Sequence, residues 1–168
     1  MTASRCVGVL LAGGAARRFR GMPKGLALVD GLRIADRVLS ALRGATDRQL
    51  VVANDARAAQ WFPGMRVVAD AEEGLGPLHG LRTALAAAEG EPVLVVAWDM
   101  PFVTTALLGQ GERRAGALHE TLADARTLAG GELSSLGDPA RLLFSVDTLQ
   151  DLATIGGRLP DGEDTARR

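Results

Sequence analysis

The stretch Cys6-Val-Gly-Val-Leu-Leu-Ala-Gly-Gly14 runs apolar and valine-containing into a pair of glycines. A strand with one wet face alternates apolar and polar residues, whereas a strand covered on both faces reads as a nearly continuous apolar run. Residues 6–11 are of the second kind, and so are the short runs at 49–53, 65–69 and 92–97. Between them, 34–42 and 78–88 carry alanine and leucine at helical spacing, with Gly44 and Gly90 placed to stop each helix. This alternation predicts an α/β fold: a doubly wound, mostly parallel sheet with right-handed crossovers in a three-layer α/β/α sandwich. Past Thr104 the pattern weakens. A helix is expected over 112–128, a break at Gly130-Gly131, a last strand over 142–146 and a final helical turn over 148–152. At 168 residues the chain suits one domain, taken as 1–155, with the polar 156–168 expected to form a mobile C-terminal tail.

The glycines place flexible backbone at the carboxyl edge of the sheet, where ligands bind in open α/β folds. Successive amides over Leu11, Ala12, Gly13 and Gly14 can form an anion-binding nest. Arg17, Arg18, Arg20 and Lys24 follow with positive charge. Lys24 is the only lysine beside 18 arginines. A lone ammonium in such a chain suggests a compact point charge aimed at a phosphate, which a planar guanidinium does not replace. The segment is not a P-loop, since Pro23 precedes the lysine and Gly25 follows it, and it is not a G-x-G-x-x-G fingerprint. On glycine content alone, a turn with surface arginines and no ligand is an equal reading.

A formal net charge of −1 gives no bulk field for nucleic acid or an anionic membrane, so phosphate chemistry must come from a local cluster. Cys6 is the only cysteine, which excludes an internal disulfide and suits a reducing, cytoplasmic setting. The apolar run at 6–12 is too short to span a bilayer, and no targeting segment is read. Asp99 follows the run at 92–97 and precedes Met100-Pro101, so it should project from a strand end into the cleft beneath the glycine loop. A carboxylate there suits Mg²⁺, which takes one or two protein oxygens and leaves its other positions to phosphate and water. His79 and His119 have no partner at zinc or catalytic spacing, and Trp61-Phe62 reads as a turn anchor.

Leu11-Ala-Gly-Gly14, Arg18-Phe19 and Lys24-Gly25-Leu26, in this order, resemble the signature of nucleotidyltransferases of the nucleotide-diphospho-sugar transferase type. Further matches make the chain most similar to the molybdenum cofactor guanylyltransferase family. These are Val52-Ala53-Asn54, Val68-Ala-Asp70 followed by Gly74-Leu-Gly-Pro-Leu-His-Gly80, and Trp98-Asp99-Met100-Pro101-Phe102. The Gly-Pro-Leu-x-Gly element argues against the related cytidylyltransferases. The resemblance implies Mg²⁺-dependent transfer of GMP from GTP to the phosphate of molybdopterin, giving molybdopterin guanine dinucleotide and pyrophosphate. By the same resemblance, Arg18, Lys24 and Asp99 are the catalytic residues. Leu11, Ala12, Gly13, Gly14, Lys24 and Asp99 face the triphosphate, and Asn54 and Asp70 hold the guanosine. The segment around Asp147 matches one that usually reads Asn-x-Asn-Thr-Pro-Glu-Asp-Leu. Asp147 either joins Asp99 at the metal or, standing before Thr148, caps a helix. A protein partner in delivery of the molybdenum cofactor is also implied.

The chain departs from the family where Leu107-Leu108 passes almost directly to Gly111-Glu-Arg-Arg114, which leaves the acceptor half short, and it has no tyrosine. Trp98 stands where a cysteine commonly precedes the Asp, and Arg20 where glycine is common. The shortening keeps two alternatives open: a GTP-binding relative with another phosphorylated acceptor, and a catalytically reduced nucleotide-binding partner protein. Removing one contact to a charge that develops during reaction typically costs on the order of a hundredfold in rate. Lys24→Ala should therefore lose most turnover while the fold survives. Near-normal pyrophosphate release by this variant from GTP and molybdopterin would remove Lys24 from the reaction.

Overall fold

A computed structural model describes residues 6–13, 19, 21–69, 77–112 and 130–160. All four apolar runs are strands of one sheet: β1 Val7–Leu11, β4 Arg48–Val52, β5 Arg66–Val68 and β6 Val93–Ala97. Their order is β5-β4-β1-β6, with every pairing parallel. β1 is central, aligned from Val7 opposite Arg48 and Val93 to Leu11 opposite Val52 and Ala97. The chain first steps outward from β1 to β4 and β5, then returns to the other side of β1 with β6. This reversal of strand order places a crevice between the carboxyl ends of β1 and β6.

Alternate residues of each strand serve opposite faces of the sheet. Val7, Val9, Leu50 and Val52 pack with Ala84, Ala87 and Ala88 of helix α3 (Pro77–Ala87) and the turn after it. Leu10, Val51 and Val96 join Val38, Leu39 and Leu42 of α1 (Ile34–Ala45) and Leu107 and Leu108 of α4 (Thr105–Glu112) in the larger core on the other side. The three layers follow from this double coverage.

Several elements differ from the sequence reading. Gly44 does not stop α1, which continues to Ala45. A Cβ on Gly44 would lie 2.5 Å from Thr105 Oγ1 and 2.6 Å from its methyl, so the glycine serves close approach of α1 and α4 instead. Thr105 Oγ1 bridges the contact by donating to the Ala41 carbonyl. Gly90, at φ +87°, does lie in the turn after α3.

The strand expected over 142–146 is absent: α6 (Pro139–Leu142) ends there, and 143–147 is irregular. Asp138 caps α6, its carboxylate accepting from the Ala140 N–H, and Pro139 takes the first helical position. Past α6 the segment gains one bond to the sheet edge, from Val146 N–H to the Asp99 carbonyl, rather than a ladder. The final helix is present as α7 (Leu149–Thr154).

A two-stranded hairpin, β2 (Leu28–Val29) with β3 (Leu32–Arg33), and the short helices α2 (Ala58–Trp61) and α5 (Gly130–Leu136) were not foreseen. Of the helix expected over 112–128, Glu112 ends α4 and the rest lies outside the described residues. Within the stretch assigned to a tail, Arg158 exchanges two backbone hydrogen bonds with Leu28, of 2.7 and 2.8 Å, so the ordered body extends at least that far.

Leu10 is fully buried in β1 while Leu32 is 56% exposed on the hairpin. Leu10→Ala should cost about 2–5 kcal/mol in urea unfolding, the range for a buried leucine. Leu32→Ala should stay within about 0.5 kcal/mol of the unaltered chain.

Candidate active site

Three charged side chains from distant segments meet at the crevice. Lys24 opens a single 3₁₀ turn, Lys24–Leu26, whose Gly25 and Leu26 are buried. Asp99 lies two residues beyond β6, and Asp147 directly before the Thr148 cap of α7. Lys24 Nζ donates to Asp147 Oδ1 at 2.6 Å and lies 3.5 Å from Asp99 Oδ2. The Lys24 and Asp99 side chains are each 15% exposed and that of Asp147 is 56% exposed. The backbone bond from Val146 to the Asp99 carbonyl, 2.9 Å, ties the two acidic segments together.

The glycine loop leaves the adjacent strand at the same level. Trp98 N–H donates to the Leu11 carbonyl and Ala12 N–H to the Val52 carbonyl, which extends both ladders past the strand ends. Gly13 is exposed, with nothing within 4 Å of a Cβ built on it. Leu11, Ala12 and Gly13 thus stand at the carboxyl edge as expected, with one correction to the nest. The Ala12 N–H is engaged by the Val52 carbonyl and so takes no part in the expected nest. Asn54 is exposed just past the end of β4, while Gly14, Arg18 and Asp70 lie outside the described residues.

This chain matches the sequence profile of the MobA-like NTP transferase domain over residues 8–164. It belongs to that family. A molybdenum cofactor guanylyltransferase of Burkholderia lata is 34% identical over 165 residues, which cover 95% of this chain and 78% of that one. Another, of Shewanella frigidimarina, is 37% identical over 127 residues, covering 74% of this chain and 62% of its own length. The fold matches that of the molybdopterin-guanine dinucleotide biosynthesis protein A of Archaeoglobus fulgidus with a TM-score of 0.62 at 18% identity, covering 89% of this chain and 96% of that one.

In this member of the MobA-like family, Asp147 is not the helix cap. Thr148 caps α7: its hydroxyl accepts from Asp151 N–H, and Asp151 accepts from the N–H groups of both Thr148 and Asp147 in a capping box. These bonds hold the Asp151 carboxyl below the usual carboxylate range, the Thr148 side chain contributing most. The Asp147 carboxylate is left to Lys24 and, at 3.4 Å, to the Ser145 hydroxyl. Sequence reasoning missed this pairing, because nothing in local spacing reports a contact between residues 123 positions apart.

Burial pushes the Asp99 carboxyl above its ordinary range; Lys24 opposes the rise and the neighbouring Asp147 carboxylate adds to it. Two carboxylates facing one ammonium form a donor set of hard oxygens that fits a divalent cation. Among the described residues no group of three or more His, Cys, Asp or Glu gathers as a metal cage. A cation held here would therefore complete its shell with phosphate and water. Two grooves elsewhere among the described residues, of about 710 and 500 Å³, are lined by segments around Phe102 and Arg141 and include none of these residues.

A carboxyl whose folded pKa is raised keeps its proton in the folded chain after the unfolded chain has lost it, so its contribution to stability falls as pH rises through that window. Asp99→Asn should therefore melt higher than the unaltered chain at pH 7, with the difference shrinking as the pH is lowered towards 3. A variant that melts lower at pH 7 would show that the pairing with Lys24 outweighs burial.

Proposed function

We propose that this chain is a nucleotidyltransferase that transfers GMP from GTP to the phosphate of molybdopterin, releasing pyrophosphate. Family membership and the names of its relatives support the reaction class. The observation that carries the reading is the convergence of Lys24, Asp99 and Asp147 beside the Gly13 edge, at the reversal point of a doubly wound sheet.

The chemistry follows from the charges. The acceptor phosphate has a second pKa of about 6 and is largely dianionic at neutral pH, so attack on the α-phosphorus needs no general base. What the protein supplies is placement and charge compensation. The backbone from Gly13 onward faces the triphosphate, and Lys24 presents three N–H donors on a compact ammonium, two directions of which point to carboxylates. As pyrophosphate departs, Lys24 offsets charge on the leaving oxygen from where Asp99 and Asp147 hold it. Arg18 adds charge from the loop, and Asn54 and Asp70 accept from the donor edge of guanine. Asp99 and Asp147 would hold Mg²⁺, which when bound neutralises phosphate oxygens. Among the described residues no helix is long and apolar enough to cross a membrane.

One observation favours a second reading. The chain spans 62% of the Shewanella relative and about half of several others, and with the short passage from Leu107-Leu108 to Gly111 this favours a relative that keeps the nucleotide half and takes another phosphorylated acceptor. Mass spectrometry after incubation with GTP, Mg²⁺ and molybdopterin should find molybdopterin guanine dinucleotide and pyrophosphate. A guanylylated product from another phosphorylated acceptor alone would move the assignment to the second reading. Unconsumed GTP with every acceptor would overturn both.

A further inference from the structure

Gly25 follows Lys24 and Trp98 precedes Asp99, so a contact between Gly25 and Trp98 lies directly behind the contact between the two charges. The Gly25 backbone lies against the indole face. A Cβ built there would stand 2.5 Å from Trp98 Cδ2 and 2.9 Å from Cγ, and closer still to Cε3. The ring has little room to give way. Trp98 is 4% exposed, and it stacks on Trp61 with centroids 6.1 Å apart and planes inclined by 29°. The Arg57 guanidinium lies 5.1 Å from the Trp61 ring centre. Trp98 Nε1 is buried with no hydrogen-bond partner among the described residues. Such an unpaired donor costs stability, and a local cost of this kind marks places where geometry serves function.

We propose that Trp98 is a positioning residue: its indole is the floor on which the Lys24–Leu26 turn rests, and the contact with Gly25 sets the spacing of Lys24 from Asp99. The positioning is a property of the chain itself, and its catalytic consequence rests on the nucleotidyltransferase reading. Carbon atoms settle about 3.5–4.0 Å apart, so a methyl group on Gly25 must lift the turn by about 1 Å. A displacement of that size can cost about a hundredfold in rate.

Because Lys24 is the only lysine, lysine isotope labelling of the full chain gives one side-chain signal, observable by NMR without substrate. Gly25→Ala should move that signal and lower kcat by roughly ten- to a hundredfold. Trp98→Met puts a flexible side chain in place of the rigid ring. The double variant Gly25→Ala/Trp98→Met should return the signal towards its original position and bring kcat to within about threefold of Trp98→Met alone, the non-additivity expected of residues in contact. If Trp98→Met does not fold, Trp98→Leu provides the same relief and is read in the same way. An unmoved lysine signal in Gly25→Ala, or losses that simply multiply in the double variant, would overturn the proposal. If the unaltered chain turns over no acceptor, the functional reading fails, while the lysine signal still decides the contact.

Discussion

A parallel ladder fixes where its strands end, and this constraint governs the molecule. β1 is paired on both sides, to β4 and to β6, and all three strands point the same way. Their carboxyl ends must emerge at one edge, and the step from β5 back across to β6 opens that edge between β1 and β6. Gly13 leaves one strand there and Asp99 the other, held level by the Trp98 N–H to Leu11 carbonyl bond. Helices α1 and α4 cover one face and α3 the other, so among the described residues the polar side chains that meet at this edge follow the strand ends. The site is a consequence of topology, and the side chains that follow the strands decide its chemistry.

The same constraint explains what the sequence revealed. Strands buried on both faces have nowhere to place polar residues, so Val7–Leu11 and Val93–Ala97 stand out as valine runs, and their order dictates the doubly wound fold. Asp99 was legible for the same reason, as the charge just beyond an apolar run, whereas Lys24 stood out as the only lysine of the chain, downstream of the glycine pair. The hairpin Leu28–Val29 with Leu32–Arg33 was not legible, because two residues per strand carry no period. Leu-Leu-Phe-Ser-Val over 142–146 has the composition of a strand, although Asp138-Pro139 just before it holds a cap signal for the helix that forms. Gly44 looked like a stop because glycine has two uses, and only the position of Thr105 on a later helix shows which applies. The family resemblance offered Asp147 as a companion of Asp99, but its bond to Lys24 was not legible in local spacing, since it depends on the path of the whole chain between them.

Taking Lys24 and Asp99 largely out of water is not by itself stabilising, because the desolvation of each charge offsets their attraction. A buried pair at this edge is better explained by what it can meet than by what it contributes to the fold. The raised Asp99 carboxyl carries the same message: burial opposes its charge, and the nearby Asp147 carboxylate opposes it further. A site that strains its own carboxylates is poised to gain from additional positive charge.

That need can be counted. One ammonium and two carboxylates leave the cluster with one net negative charge when all are ionised. A triphosphate approaching it would be repelled unless more positive charge arrives with it or is already close. Arg17, Arg18 and Arg20, which follow Gly14 in sequence, are the candidates to carry part of it. A divalent cation, if held by Asp99 and Asp147, would supply the rest and free Lys24 from holding both acids alone. A compact ammonium suits such sharing, since it can turn its donors from carboxylate to phosphate oxygens without the planar alignment a guanidinium requires. In a chain that otherwise relies on arginine, one lysine at this point is what the charge balance of the site calls for.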